Sequence, residues 1–400
     1  MLRNRRRLIR LVVIAAAVGL LVALGALLYA VIQRNRTVTL PSPTGKYAIG
    51  RILDEWTDES RPETLGTSTG QYRRLTVWIW YPADPPPGGA PAPYLPKAWA
   101  HARDHMRGLG SILFQSLASI RAHAFANAPV SGEETTYPVL IFEPGLGPTV
   151  SDYTTLLEDL ASHGYIIIGV NPTYSASAVV FVDGRVVEQS ASGNIPDNAS
   201  VPETKQIADR LVHIWADDMI FAMDQAQRLN ADPQSLLAGR MDLTRIGVFG
   251  HSFGGAAAAE VCHLDVRCQA GADLDGYPYG DVVQIGLRQP FLFVWSTGND
   301  SNDAHYQQAV QDIEAIYSRL ETGYQVTIRG ARHFNFTDYA VEFSPALKLL
   351  GVLGSIDGER GLQISRAYVL AFFDTALKDA APSELQRLST DFPEVTFEAR

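Results

Sequence analysis

The stretch from Arg245 to Ala259 constrains this 400-residue chain more than any other. Arg245–Phe249 reads as a short apolar strand, followed by Gly250-His251-Ser252-Phe253-Gly254, then Gly255 and four alanines. A strand that turns sharply into a helix strains the residue at the turn. Only small neighbours then let the helix pass close to the strand. A serine at that turn stands at a helix N-terminus, where developing negative charge is favoured. The bare G-x-S-x-G pattern is a weak signal, because Gly and Ser are common. The strand before it and the small-residue helix after it make it specific. The competing reading is a glycine-rich packing turn. Ser252 is thus the candidate nucleophile.

The rest of the chain supplies the sheet that such a turn needs. Leu75–Tyr81 alternates and is aromatic-rich, as a strand does. Val139–Phe142, Tyr165–Val170, Ala270–Leu274, Phe291–Trp295 and Gln325–Ile328 are short apolar runs. Tyr165–Val170 lacks polar alternation, as expected of a sheet covered on both faces. Helical patterns fall at Asp152–His163, Glu203–Asn230 and Leu362–Lys378, and a hairpin is expected around Asp183-Gly184. Strand–helix alternation of this kind predicts an α/β fold with a mostly parallel sheet and helices on both faces. Residues 37–70 read as an irregular linker and lead-in. Residues 82–96, with seven Pro, read as a surface loop. Residues 97–128 read as a helical insert, from the spacing of Met106, Leu109, Ile112, Leu113 and Leu117. The expected division is 1–36 basic tip and anchor, 37–70 lead-in, 71–380 catalytic domain and 381–400 tail.

Charge is unevenly placed. The chain carries 33 basic and 43 acidic residues, a net −10, which argues against a nucleic-acid partner. Residues 1–36 nevertheless hold seven Arg and no acid. Arg3, Arg5, Arg6, Arg7 and Arg10 precede the uncharged run Leu11–Gln33, and Arg34 and Arg36 close it. As a helix that run is about 35 Å long, enough to span a bilayer. The Arg bias predicts a single-pass transmembrane helix with its N-terminus inside and the body outside the cytoplasm. The alternative is a cleaved signal peptide and a secreted body, with Ala23-Leu24-Gly25 as the cleavage site. Cys262 and Cys268 would suit a small disulfide loop in such a compartment. Together with His263 they are too sparse for a zinc site.

A serine nucleophile needs a base, an orienting acid and an oxyanion hole. Among nine His, His333 is the best placed, in a loop after the late strand Gln325–Ile328. His251 adjoins the serine and is expected to point elsewhere. His101, His105 and His123 fall before the core strands. Two acids end strands, Asp275 after Ala270–Leu274 and Asp300 after Phe291–Trp295. Either could hold an imidazole in its productive tautomer, and position alone does not choose. Asp273 is turned to the other side by strand alternation. The oxyanion donors are the N–H of Phe253, after the nucleophile, and that of Leu146 in the loop Glu143–Pro148. No dinucleotide fingerprint follows the first strand and no metal-ligand spacing occurs, so no cofactor and no metal is expected.

Five segments resemble the platelet-activating factor acetylhydrolase family of the plasma, α/β-hydrolase type and its bacterial relatives. They are Pro144-Gly145-Leu146-Gly147, Leu160-Ala161-Ser162-His163-Gly164-Tyr165, Gly250–Gly255, Asp273-Leu274-Asp275-Gly276-Tyr277 and His333-Phe334-Asn335-Phe336-Thr337-Asp338. Their order is similar over roughly residues 70–380. A more distant similarity is to dienelactone-hydrolase and cutinase-like esterases. The resemblance implies an α/β-hydrolase fold, Asp275 as the acid and His333 as the base. The dienelactone-type relatives keep Asp300 as second choice. One departure is Pro144, where the family has His. It implies an altered rim, not a lost oxyanion hole, because the donors there are backbone groups.

The activity so implied is serine ester hydrolysis through an acyl-enzyme, on phospholipids with a short or oxidised sn-2 acyl chain. The alternatives are a general short-chain carboxylesterase, a cutinase-like polyester hydrolase and, from another class, a non-catalytic binding module on the same fold. The expected partners are an ester substrate and a membrane. Oligomeric state is left open.

Overall fold

The computed structural model describes residues 2–67, 70–106, 108, 114–298, 302–342, 348 and 350–400. In chain order the strands are β1 (Val38–Thr39), β2 (Ala48–Pro62), β3 (Tyr72–Ala83), β4 (Ile120–Arg121), β5 (Phe125–Ala126), β6 (Tyr137–Glu143), β7 (Ile166–Asn171), β8 (Ala178–Val180), β9 (Val186–Glu188), β10 (Met241–His251), β11 (Cys268–Leu274), β12 (Phe291–Ser296), β13 (Gly323–Ile328) and β14 (Val395–Ala399). Ten of them form one sheet in the order β14-β13-β12-β11-β10-β6-β7-β3-β2-β5. The six from β13 to β7 are parallel; at the two sides β14 and β3 run antiparallel to them, β2 pairs antiparallel with β3, and β5 pairs parallel with β2.

The central strands are buried on both faces, so they lack polar alternation. Residue parity still divides them. Leu140, Phe142 and Phe249 face one layer, with Tyr368, Phe372 and Phe373 of the helix Gly358–Leu377. Val139, Ile141 and Val248 face the other. There α4 (Val201–Ala231), the next long helix after α3 (Thr154–Ser162), lays down Leu211, Trp215, Met219 and Ala222 at helical spacing. The rings of Phe142 and Phe249 lie 4.8 Å apart and those of Phe249 and Phe373 5.5 Å apart. Truncating Phe249 to Ala would cost about 3–5 kcal/mol.

Three segments differ from the sequence expectation. Within 37–70, Ala48–Pro62 is a 15-residue strand paired in antiparallel register with β3. Its alternation was masked by charge: Ile49 and Trp56 are buried, while Arg51 is buried too, over the Trp78 ring at 4.9 Å. The supposed tail 381–400 forms a helix, Ser383–Asp391, and the edge strand β14. Among the described residues of the expected helical insert, the α-helix is α2 (Lys97–Met106). Leu109, Ile112 and Leu113 lie outside the described residues. Beyond them Leu117–Ser119 is one 3-10 turn, and Ile120, Ala122 and Ala124 are buried in alternation as extended chain.

The hairpin β8–β9 stands where it was expected. At the N-terminus, α1 (Leu2–Arg34) is one apolar helix whose described side chains are mostly exposed. It is the one helix among the described residues with the length and hydropathy of a membrane span, as a signal sequence or an anchor has. Its exit is clamped to the body. Arg34 pairs with Asp104 at 3.1 Å, its carbonyl accepts from the Ser116 N–H, and β1 pairs with β4.

Candidate active site

The turn from β10 into α5 (Phe253–Leu264) holds Ser252 at φ 57°, ψ −123°. This region is unfavourable for a side chain with a Cβ, and it persists because the surroundings fix it. The Ser252 N–H donates to the Leu274 carbonyl at 2.8 Å. A Cβ on Gly254 would meet the Glu143 carbonyl oxygen at 2.2 Å, so only glycine lets α5 lie this close to β6. Past α5, Cys262 and Cys268 form a disulfide that ties its end to the start of β11.

His333 begins a 3-10 turn after β13. Its Nδ1–H donates to Asp275 Oδ2 at 2.8 Å, since a carboxylate can only accept. Its Nε2 is then the acceptor for the Ser252 Oγ–H at 2.9 Å. Asp275 sits at φ 59° just beyond β11. Oδ1 accepts the Ser296 N–H at 2.7 Å, and Oδ2 accepts the Ser296 hydroxyl at 3.1 Å. Burial works to raise the Asp275 carboxyl. The hydrogen bond and charge of His333 and the Ser296 N–H outweigh it and hold the group below the ordinary carboxylate value. Asp273 turns away, its Oδ1 taking the Gly276 N–H at 2.8 Å, and burial pushes its carboxyl well up. Asp300 lies outside the described residues.

Leu146, Ser252, Phe253, Asp275 and His333 line one cleft of about 280 Å³, with Ile195, Tyr277 and Tyr279. The N–H groups of Leu146 and Phe253 meet no acceptor among the described residues. The neighbouring Gly145 N–H is taken by the Tyr153 hydroxyl at 3.1 Å.

His251 was expected to point away from the site, and the structure corrects this. It is buried beside His333, with ring centroids 4.5 Å apart. Its Nε2 is 2.9 Å from the His333 carbonyl, which can only accept, so Nε2 carries the proton. Its Nδ1 therefore accepts from the Tyr153 hydroxyl at 2.8 Å. Burial first, and the adjacent His333 second, push His251 down to about 3, so the ring is neutral. Strand alternation does turn residue 251 away from residue 252, but the turn itself brings the ring back beneath the His333 loop. Tyr153, Ser296, Ile195 and Tyr279 carried no sequence signal of their own, because each joins the site through chain distant in sequence.

A family model described as "Platelet-activating factor acetylhydrolase, isoform II" matches residues 32–384. A "Probable 1-alkyl-2-acetylglycerophosphocholine esterase" of Arthroderma benhamiae is 27% identical over 389 residues, covering 90% of this chain and 93% of that protein. The "Platelet-activating factor acetylhydrolase" of Cavia porcellus is 27% identical over 289 residues, 67% of this chain and 64% of its own. Among solved structures, a ferulic acid esterase from Streptomyces cinnamoneus superposes with a TM-score of 0.74 at 29% identity, covering 91% of this chain and 99% of that one. The chain therefore belongs to the platelet-activating factor acetylhydrolase isoform II family, a family of carboxylic ester hydrolases.

Proposed function

We propose that the protein is a serine carboxylesterase of α/β-hydrolase fold, with Ser252 as nucleophile, His333 as general base and Asp275 as orienting acid. The reading rests above all on the line of hydrogen bonds Ser252 Oγ–His333 Nε2 and His333 Nδ1–Asp275 Oδ2, at 2.9 and 2.8 Å. Ser252 Oγ attacks the ester carbonyl while its proton passes to His333 Nε2. Asp275 stabilises the imidazolium. The free N–H groups of Leu146 and Phe253 hold the oxyanion. His333 returns the proton to the departing alkoxide, leaving an acyl-serine. Water, deprotonated by the same imidazole, then releases the acid.

The substrate we favour is a phospholipid with a short or oxidised sn-2 acyl chain, by kinship with the acetylhydrolases. Leu146, Ile195, Phe253 and the two tyrosines give the described cleft wall an apolar and aromatic lining, which suits entry of the acyl group with a charged headgroup left outside. A general short-chain or aryl carboxylesterase is the second reading, favoured by the match to the bacterial ferulic acid esterase. The apolar helix α1 would serve as a signal-anchor with its N-terminus inside, or as a cleaved signal. The catalytic body extends over about residues 38–400, because β2, from the lead-in, and β14, from the C-terminal stretch, are both strands of its sheet.

The test compares the protein with Ser252→Ala. The substrates are p-nitrophenyl esters from acetate to palmitate, sn-2 acetyl and long-chain phosphatidylcholines, and methyl ferulate. Short-chain turnover lost in the variant supports the esterase, and turnover of the sn-2 acetyl lipid supports the first substrate reading. Ferulate turnover without lipid turnover moves the assignment to the second. A wild-type protein with no turnover, and no labelling by an organophosphonate, would be a binding module.

A further inference from the structure

We propose that His213, Glu260 and Asp281 form a zinc site behind the cleft, independent of ester chemistry. The three residues come from three places in the chain, so no sequence spacing reveals them. His213 lies on α4, Glu260 on α5, and Asp281 immediately before the short helix Val282–Ile285. One ligand atom from each falls within 4.8 Å of the other two.

The second observation is the state of Glu260. Its side chain is fully buried, and Oε1 has no hydrogen-bond partner, although it lies 3.4 Å from His213 Nδ1. Oε2 is fixed by the Val282 N–H at 3.0 Å, which leaves Oε1 aimed into the cluster. A buried carboxylate oxygen with nothing to accept is costly unless a cation or proton faces it. The chain also closes tightly around this carboxylate. Gly280 adopts φ +89°, and a Cβ there would sit 2.5 Å from Oε2.

The donor set selects the metal. One imidazole nitrogen and two carboxylate oxygens suit zinc, whereas calcium prefers an all-oxygen shell. Two anionic ligands also match the charge of a divalent ion. Zinc ligands sit about 2.0–2.2 Å from the metal. The cluster must therefore contract from its present spacing of up to 4.8 Å, through movement of the half-exposed His213 and exposed Asp281. A fourth position, open to solvent, would hold water.

The site would act as a staple. Glu260 is on the helix that begins at Ser252, and Asp281 is two residues beyond Tyr279 of the cleft wall. A metal joining them to α4 would hold the nucleophile's helix against the aromatic side of the cleft.

The full chain in detergent is stripped with a chelator, dialysed against micromolar zinc and analysed for bound metal. Cobalt(II) replaces zinc for absorption spectra. The expected result is one zinc per chain, an intense visible cobalt band of low coordination number, and a Tm raised by several degrees. His213→Ala and Asp281→Asn alter only partly exposed side chains. Each should weaken zinc by roughly 100-fold or more and abolish the Tm rise. A His101→Ala/His105→Ala variant controls for uptake at the exposed histidine pair on α2 and should keep all three signals. No stoichiometric uptake, or uptake that survives His213→Ala and Asp281→Asn, overturns the proposal. Ester turnover is not the readout, so the outcome stands apart from the hydrolase assignment.

Discussion

His251 Nε2–H donates to the main-chain carbonyl of His333 at 2.9 Å, and His251 is the residue before Ser252. One neutral imidazole thus ties the backbone carrying the proposed base to the backbone carrying the proposed nucleophile. Its other nitrogen continues through the Tyr153 hydroxyl to the Gly145 N–H, beside Leu146. The proposed nucleophile, base and oxyanion loop are joined by a single chain of hydrogen bonds through His251 and Tyr153. Tyr153→Phe should cut it at one link and lower kcat roughly 10-fold. His251→Ala should remove two links and lower kcat about 100-fold, the scale of a 1 Å misplacement. KM should move little in either. Steady-state kinetics on a p-nitrophenyl ester, with circular dichroism to check the fold, decide this. A change confined to KM would show that the chain shapes binding instead.

The same ring makes the protein acid-sensitive. An unfolded His251 takes a proton near 6.5, and the folded one only near 3. Between those values the unfolded state binds one more proton, so stability falls by about 1.4 kcal/mol per pH unit as pH drops. In His251→Gln that slope should shrink by one proton. Urea unfolding at pH 4, 5, 6 and 7 measures it. An unchanged slope would mean that the folded ring is protonated in this range.

Glu143 gives the opposite slope. It ends β6 fully buried, with neither carboxyl oxygen hydrogen-bonded among the described residues. Burial first, then the charge of Asp218, push it well above its ordinary 4.5. The folded state keeps a proton that the unfolded state loses above about 4.5, so stability falls as pH rises through that window. Glu143→Gln should therefore raise Tm at pH 8 and leave it nearly unchanged at pH 4. An equal effect at both pH values would assign the change to packing alone.

Asp275 is held from two sides, by His333 and by the Ser296 N–H and hydroxyl. Asp275→Asn should reduce kcat about 10⁴-fold, because an amide favours the wrong imidazole tautomer. Ser296→Ala removes one of the two Ser296 contacts and keeps the N–H, so a loss of about 10-fold or less is expected. If Asp275→Asn retained near wild-type kcat, the acid would have to be sought at Asp300.

Much of this architecture is written locally in the chain. The apolar runs of β6, β7 and β10–β13 each carry their burial in their own composition, and the elbow announces itself through the small residues packed around Ser252. Ala48–Pro62 does not, because half its residues face water and its partner β3 supplies the apolar surface. The place of His251 is hidden from the sequence for a related reason. Alternation along a strand holds up to the turn, but a ring at the end of the strand takes its place from what comes to rest above it, here a loop 82 residues later. Ser296 and Tyr153 are invisible until folding brings them together. A single hydroxyl has no sequence signature until the carboxylate or imidazole it serves is in place.

The side walls of the cleft have a different origin from its floor. Leu146, Ile195, Tyr277 and Tyr279 all belong to loops, whereas Ser252 is held between β10 and α5 and Asp275 and His333 follow the strands β11 and β13. Loops tolerate replacement far better than a buried hydrogen-bond chain does. Descent with modification could therefore exchange the walls many times while the floor stayed fixed, and one ancestral machine could be handed a lipid, an aryl ester or a polymer in turn. In this protein, substrate preference is expected to follow the loop side chains of the cleft wall, Leu146, Ile195, Tyr277 and Tyr279 among the described residues, and not the hydrogen-bonded floor.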